Sequence, residues 1–400
     1  MYIDGDSKVL GGIMLQEIFM KIAVDLSFIR SDHTNGGTES CIRNLMKGWI
    51  QEGVIRQFIF FIHNDVYQDY YEEFPECEFC VYNCRGPHKI RTTWFQTMIL
   101  PGWVRKYHVD VLYYPTYTTG YYVSLGIPVV VNPHDIQFKF YPEYFSLWKR
   151  WYLDFGYRHS LKRANRIIAI SEYVKSTLEQ FYGKECGNKI TTVYDPIDFD
   201  TGAGEGPEGV ICPFILSISS IQKHKNMLTL VKAFGRICHA IPHQLVIVGC
   251  KGNGMEGICQ YIKQQQLEGR VLFTDYVANS GISWLYEHAA LYVTTSLYEG
   301  FGMTPIEAMG RGVPVISSTS TSLPEVTMHL ANYYEPAEDD IGLSAKIVDI
   351  LGCSSRQIPD ADMFRKRYDK KNISQKMFEL FVEEFDNKAC HTSERGARKL

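Results

Sequence analysis

Apolar positions along this chain fall into two alternating patterns. Short unbroken runs occur at Ile22–Leu26, Phe58–Ile62, Val111–Tyr114, Pro128–Val131 and Ile167–Ile170. Such runs suit strands covered on both faces, as in a parallel sheet with helices above and below. Between them apolar residues recur at helical spacing: Ile42, Leu45, Met46, Trp49 and Ile50 mark one helix, and Ser171 is placed to cap another. A Gly-, Glu- and Pro-rich stretch then runs from Asp195-Pro196-Ile197-Asp198 to Gly209 and reads as a linker. Beyond it the alternation restarts, with strand-like runs at Phe214–Ile218, Leu245–Val248, Val271–Phe273, Leu291–Thr294 and Pro314–Ser317. A helical set lies at Leu228, Val231, Phe234 and Ile237. The pattern predicts an α/β protein of two doubly wound, Rossmann-like domains joined near residue 200, with ligands bound where the strand C-termini face a central cleft.

Composition narrows the picture. Of 400 residues, 45% are hydrophobic and 22% charged, which excludes a long disordered chain. Lys+Arg of 41 against Asp+Glu of 45 leaves a net charge of −4, which argues against a general nucleic-acid binder. No stretch approaches the roughly 18 apolar residues of a membrane span. Asp4, Asp6 and Glu17 interrupt Met1–Met20 as a signal peptide, and Lys21-Ile22-Ala23-Val24-Asp25 reads as a domain opening, so residues 1–19 are expected to be an upstream extension. The 11 cysteines, scattered and odd in number, fit reduced thiols in a cytoplasm better than a disulfide framework. Residues 392–400, polar and basic, are expected to be a frayed tail.

Candidate chemistry concentrates in Ser296-Leu-Tyr-Glu-Gly-Phe-Gly-Met-Thr-Pro-Ile-Glu-Ala-Met-Gly-Arg-Gly-Val-Pro-Val-Ile-Ser317. Here a strand ends, Gly300 and Gly302 punctuate a loop, and a short helix begins. Thr304 is expected as its cap, with Pro305 first in the helix and Glu307 third. The bland reading is a capping box with Glu299 merely solvated. The chemical reading is an anion cradle flanked by two carboxylates.

The order Glu299-Gly-Phe-Gly-x-x-Pro-x-Glu307-Ala-Met-x-x-Gly-x-Pro-Val-Ile, continuing into Ser322-Leu-Pro-Glu-Val326, closely resembles the E-x7-E motif of family-4 glycosyltransferases, retaining enzymes of the GT-B fold. The resemblance covers residues 20–387 and is strongest in the second half. Other stretches match in order: Gly36-Gly37-Thr38-Glu39 resembles the family's glycine loop, and Asn132-Pro133-His134-Asp135 its His-Asp element. Ser217 to Asn226 resembles the phosphate loop, with Lys225 matching the family's Lys and Ser219 standing where an Arg is usual. One cationic contact to the diphosphate is therefore missing, or is replaced by Lys223 or Arg311. Gly249-Cys250-Lys251-Gly252 is a weaker match on the nucleotide side, and Phe273-Thr-Asp-Tyr276-Val277 resembles the base-pocket segment.

The resemblance implies an acceptor-side domain over 20–196, a linker over 197–210, a donor-side domain over 211–372, and a helix over 373–390 returning to the first domain. It implies catalytic roles for Glu299, His134 and Lys225. Donor contacts are implied for Gly36, Gly37, Ser219, Lys225, Gly249, Tyr276, Val277, Phe301, Gly302, Met303, Thr304 and Glu307. No metal or other cofactor is expected beyond the nucleotide-sugar donor, with GDP-mannose favoured over a UDP-sugar because the segment Tyr141-Pro-Glu-Tyr-Phe145 resembles mannosyl- and rhamnosyltransferase members. The acceptor is expected to be a glycan or polyprenyl-linked oligosaccharide of surface polysaccharide synthesis, handled at the inner face of the cytoplasmic membrane. A GT-B sugar-nucleotide epimerase and a catalytically weak glycan-binding subunit are the alternatives, the second suggested by Ser219.

Two signals compete. Cys77, Cys80, Cys84 and His88 resemble a metal-ligand spacing, but a strand through Phe79, Val81 and Tyr82 would throw Cys77 and Cys80 to opposite faces. Trp148-Lys-Arg-Trp-Tyr152 on a helix, with basic residues at 158–163 and 85–91, reads either as a membrane-facing patch or as a helix with an aromatic core face and solvated charges.

Overall fold

The structure, a computed structural model, describes residues 20–397 apart from 33–34, 121–124, 201, 203, 276 and 353–359; the expected extension 1–19 lies outside the described residues. Seven parallel strands form the first sheet: β1 Ile22–Asp25, β2 Phe58–His63, β3 Glu78–Tyr82, β4 Val111–Tyr114, β5 Val129–Val131, β6 Arg166–Ala169 and β7 Ile190–Thr192, in the order β3-β2-β1-β4-β5-β6-β7. Six more form the second: β8 Phe214–Ile218, β9 Gln244–Val248, β10 Val271–Thr274, β11 Leu291–Thr294, β12 Val315–Ser318 and β13 Asn332–Tyr334, in the order β10-β9-β8-β11-β12-β13. Every pairing is parallel, so each connection is a crossover and helices cover both faces. This is why β1, β2, β4, β8, β9 and β11 are almost entirely buried and carry no polar alternation.

In both sheets the strand order reverses beside the first strand, and loops leaving the strands near those switch points meet across the domains, Gly37 against Met303 and Gly300 against His134. The edge strands β7 and β13, three residues each and partly exposed, lack the apolar run that marks the central ones.

The expected linker is pinned rather than free. Ile197 is buried, donates its N–H to the Tyr368 carbonyl at 2.9 Å and forms a bridge with Asp369. Asp198 is held by Lys370 at 2.5 Å and Lys47 at 3.1 Å. A Cβ on Gly206 would lie 2.7 Å from the Trp284 ring, so the linker lies flat on that indole. The chain then recrosses. Helix Lys370–Ala397 packs on helix Gly37–Gln51, where the Trp49 indole donates to the Ser374 carbonyl at 3.0 Å and stacks on Phe58 at 4.2 Å. The helix continues through residues 392–397, which were expected to fray.

Candidate active site

The cleft is lined by loops that leave strand C-termini, and small residues let the two domains approach. Gly300 lies against the first domain: a Cβ there would be 2.2 Å from the His134 carbonyl oxygen and 3.2 Å from the Asp135 Cβ. Ser171 caps its own helix through the Val174 N–H and also donates to the Gly300 carbonyl at 2.7 Å. Glu325, from the second domain, accepts from the Glu172 and Tyr173 N–H groups at 2.7 and 3.0 Å, covering free donors in the first turn of that same helix. The Tyr298 hydroxyl accepts from Ile136 N at 3.3 Å.

At this junction the Lys225 ammonium lies 2.6 Å from a Glu299 carboxylate oxygen, with both side chains 18% exposed. Ser296 donates to the same oxygen at 2.7 Å. Asp135 faces the pair: burial raises its carboxyl above the ordinary value, Lys225 draws it back and Glu299 pushes it further up. His224 is adjacent, and burial with the neighbouring Lys225 lowers its imidazole to about 4. One cation therefore stands between two acids, in a cleft that shields it from water.

The Glu299 loop is fixed from behind. Thr321 accepts from the Glu299 N–H and donates to the Glu299 carbonyl, each at 2.9 Å, and Ser322 donates to the carbonyls of Glu299 and Phe301. Gly302, at φ 101°, caps helix Met303–Met309 in a conformation that favours glycine. The capping box of the bland reading does not form, and Thr304 is not the cap. The helix starts at Met303, Thr304 and Pro305 fall at its second and third positions, and the cap makes no side-chain bond. Thr304 instead accepts from the Tyr292 hydroxyl at 2.7 Å, and Glu307 accepts from the Tyr286 hydroxyl at 2.7 Å. Burial raises the Glu307 carboxyl, which the Tyr286 bond partly offsets. Glu307 also lines a cavity of about 440 Å³ shared with Gly36, Asn44 and Asp198.

The other candidates divide. Gly37 approaches the second domain, a Cβ there lying 3.6 Å from the Met303 sulfur, while Gly36 has open space beside it. Ser219 and Gly249 meet: a Cβ on Gly249 would be 2.2 Å from the Ser219 carbonyl oxygen. Val277 packs on Gly281, and Tyr276 lies outside the described residues. The Phe301 ring is buried between Tyr194 and Tyr368, so only its backbone is available to a ligand. His134 turns both nitrogens into the protein. Nε2 donates to the Pro115 carbonyl at 3.1 Å, and Nδ1 is 3.9 Å from Asp195, too far for a hydrogen bond. Burial lowers this imidazole to about 4 and raises Asp195 to about 7. Arg311 donates to the Glu307 and Phe199 carbonyls and lies over the Tyr286 ring, which ties it to Glu307 rather than to the Ser219 loop. The Cys77–His88 ligands do not converge. His88 bonds the Ile29 carbonyl, and among the described residues no group of three or more His, Cys, Asp or Glu is gathered to hold a metal ion. Reasoning from sequence missed His224 and Ser296 and left Asp135 outside the site; the His-Asp pair signalled the last.

Two facing Rossmann-like domains with the acid–base constellation in the cleft between them define the GT-B class. The chain belongs to the glycosyltransferases: residues 35–201 match the model "Glycosyltransferase Family 4" and residues 212–370 the model "Glycosyl transferases group 1". Among curated relatives, the O-antigen chain mannosyltransferase RfbU of Salmonella typhimurium is 27% identical over 263 residues, 64% of this chain and 70% of that protein. O-antigen chain mannosyltransferase B of Escherichia coli is 25% identical over 261 residues, 62% and 68% of the two chains. The crystal structure of Anabaena Alr3699/HepE in complex with UDP and glucose superposes with a TM-score of 0.70 at 19% identity, covering 91% of this chain and 100% of that one. Sucrose-phosphate synthase from Thermosynechococcus elongatus gives 0.72 at 18% identity, covering 92% and 100%.

Proposed function

We propose that this glycosyltransferase is a retaining, metal-independent mannosyltransferase. It takes the sugar from GDP-mannose and passes it to a glycan or lipid-linked oligosaccharide of cell-surface polysaccharide synthesis, at the cytoplasmic face of the membrane. The observation that carries the reading is the Lys225 ammonium held 2.6 Å from Glu299 beside Asp135, where the second sheet's loops meet the first domain. The two O-antigen mannosyltransferase relatives support the choice of sugar and of pathway class.

In this reading the donor's diphosphate takes the place of Glu299 as the partner of Lys225. The glycosidic C1–O bond breaks with its electron pair leaving on the phosphate, and the ammonium stabilises the developing charge. The backbone at Ser219, Gly249 and Gly302–Thr304, with the Gly36-Gly37 loop opposite, approaches the phosphates, and Gly36 has open space beside it for that approach. Glu307, buried and oriented by Tyr286, takes the ribose hydroxyls. Val277 lines the base. Glu299, released from Lys225, orients the sugar and faces the positive charge that grows at C1. The acceptor hydroxyl attacks from the face the diphosphate leaves, and its proton passes to the departing phosphate oxygen. His134, neutral near pH 7, forms an apolar wall with its ring rather than acting as a proton carrier.

The test is calorimetric titration with GDP and UDP, followed by transfer assays with GDP-mannose and UDP-sugars and by the anomeric configuration of the product. Binding of GDP with an α-linked mannosyl product supports the reading. Binding of neither nucleotide, or conversion of donor without an acceptor, overturns it.

A further inference from the structure

Away from the cleft, the first domain carries an apolar face that a water-facing surface does not explain. Helix His88–Trp94 runs on through a π-helical turn, Phe95–Ile99, and exposes Ile90, Trp94 and Met98 at four-residue intervals. Helix Leu147–Arg163 exposes Leu147, Trp148, Trp151, Tyr152 and Phe155, again with helical spacing. Trp148 is 82% exposed, Leu147 77% and Ile90 64%. The opposite side of the second helix is already buried through Tyr157 and Leu161, so these rings are additional to the core. Ile90, Trp94 and Met98 of the first stripe and Trp148 and Tyr152 of the second line one groove of about 780 Å³, and Leu147, Trp151 and Phe155 extend the exposed apolar surface of the same helix. Large contiguous apolar surface of this kind marks an interaction site.

Charge on the groove indicates what covers it. Lys89 and Lys149 stand at its rim, where partial burial, and after it the nearby Lys89, lowers the Lys149 ammonium below its ordinary value. Among the described residues neither ammonium is paired with a carboxylate; Lys149 lies instead over the Phe145 ring at 4.7 Å. Tryptophans beside unpaired lysines suit the boundary between acyl chains and anionic headgroups. The groove is also continuous with the inside of the protein. Lys89, Thr93, Lys149 and Tyr152 line both the groove and a second cavity of about 440 Å³, which reaches Phe28 and Thr116–Thr119 at the C-terminal ends of β1 and β4. No helix among the described residues is long and apolar enough to cross a membrane, so the contact is interfacial.

We propose that the face made by residues 88–98 and 147–155 docks on an anionic lipid bilayer, with the tryptophans inserted among headgroups and Lys89 and Lys149 on lipid phosphates. The groove then delivers a lipid-linked acceptor from the bilayer to the cavity beside the cleft. Docking stands on this face alone; only delivery rests on the transferase reading above.

The full chain is sedimented with vesicles of phosphatidylethanolamine and phosphatidylglycerol, and separately with phosphatidylcholine vesicles. Binding to the first and weak binding to the second are expected. Trp148→Ala with Trp151→Ala should weaken binding by about tenfold per residue, from the apolar area withdrawn. Lys89→Gln and Lys149→Gln should each cost about fivefold, an effect that added salt erases. Both tryptophans are solvent-facing, so thermal unfolding and nucleotide binding of that variant should match the wild type. Wild-type protein left in the supernatant with anionic vesicles, or variants that bind as well as wild type, would overturn the proposal. So would light scattering that shows a dimer dispersed by the tryptophan substitutions, because a second copy would then cover the face. Nucleotide titration without vesicles reads the transferase assignment separately.

Discussion

The two domains share one topology and treat their cleft-facing loops differently. In the second domain, Ser296 holds the Glu299 carboxylate, Thr321, Ser322 and Thr295 tie the loop of Glu299 and the turn of Lys225 through backbone atoms, and Tyr286 and Tyr292 brace the short helix behind them. In the first domain the corresponding edge opens into cavities beside Thr116–Thr119 and Gly36, and an outer face of tryptophans lies uncovered. A site that stabilises charge must have its dipoles in place before reaction. A surface that receives a large, variable acceptor gains from room and exposed contact area. The difference teaches that the same fold can brace its cleft loops in one domain and leave cavities and exposed apolar surface in the other.

If the second domain is the preorganised half, its charged pair should be the most sensitive point. Lys225→Ala and Glu299→Gln should each lower turnover by about 10²-fold or more with little change in thermal stability; turnover near wild type in both would break the comparison. Glu307→Ala should act next, weakening nucleotide binding by about tenfold through loss of a charged hydrogen-bonding group, while kcat at saturating donor changes less. Calorimetry set beside kinetics separates the two. Gly300→Ala probes the seam between the halves. Its Cβ would press on the His134 carbonyl from 2.2 Å, and a cost of about 1–3 kcal/mol is expected in chemical denaturation.

The smallest effect concerns pH. Burial lifts Asp195 from an ordinary value of 3.8 to about 7. A raised carboxyl binds its proton more tightly when folded, so its contribution is full below pH 3.8 and is lost as pH rises through about 7. Asp195→Asn should flatten the stability profile across that window, and an unchanged slope in denaturant titrations would show that the group titrates normally.

The sheets were legible because a strand covered on both faces is apolar over most of its length, as β1, β2, β4, β8 and β11 are. The edge strands β7 and β13 were not, being short and half-exposed. The motif from Glu299 to Glu307 was legible as a loop between strand and helix, but the helix start was placed two residues too far along. A capping box needs only local spacing, whereas Tyr286 and Tyr292 reach Glu307 and Thr304 from other elements.

Sequence alone therefore determined the two-domain α/β layout and singled out Lys225, Glu299 and Glu307 as candidates, because burial periodicity and ordered motifs are properties of neighbours along the chain. Tertiary structure decided that Lys225 pairs with Glu299, that Asp135 and His224 stand beside them, that the ring nitrogens of His134 point inward, and that the Trp148 face stays uncovered. Each of these is a distance between residues far apart in the chain, set by how two sheets and their helices pack.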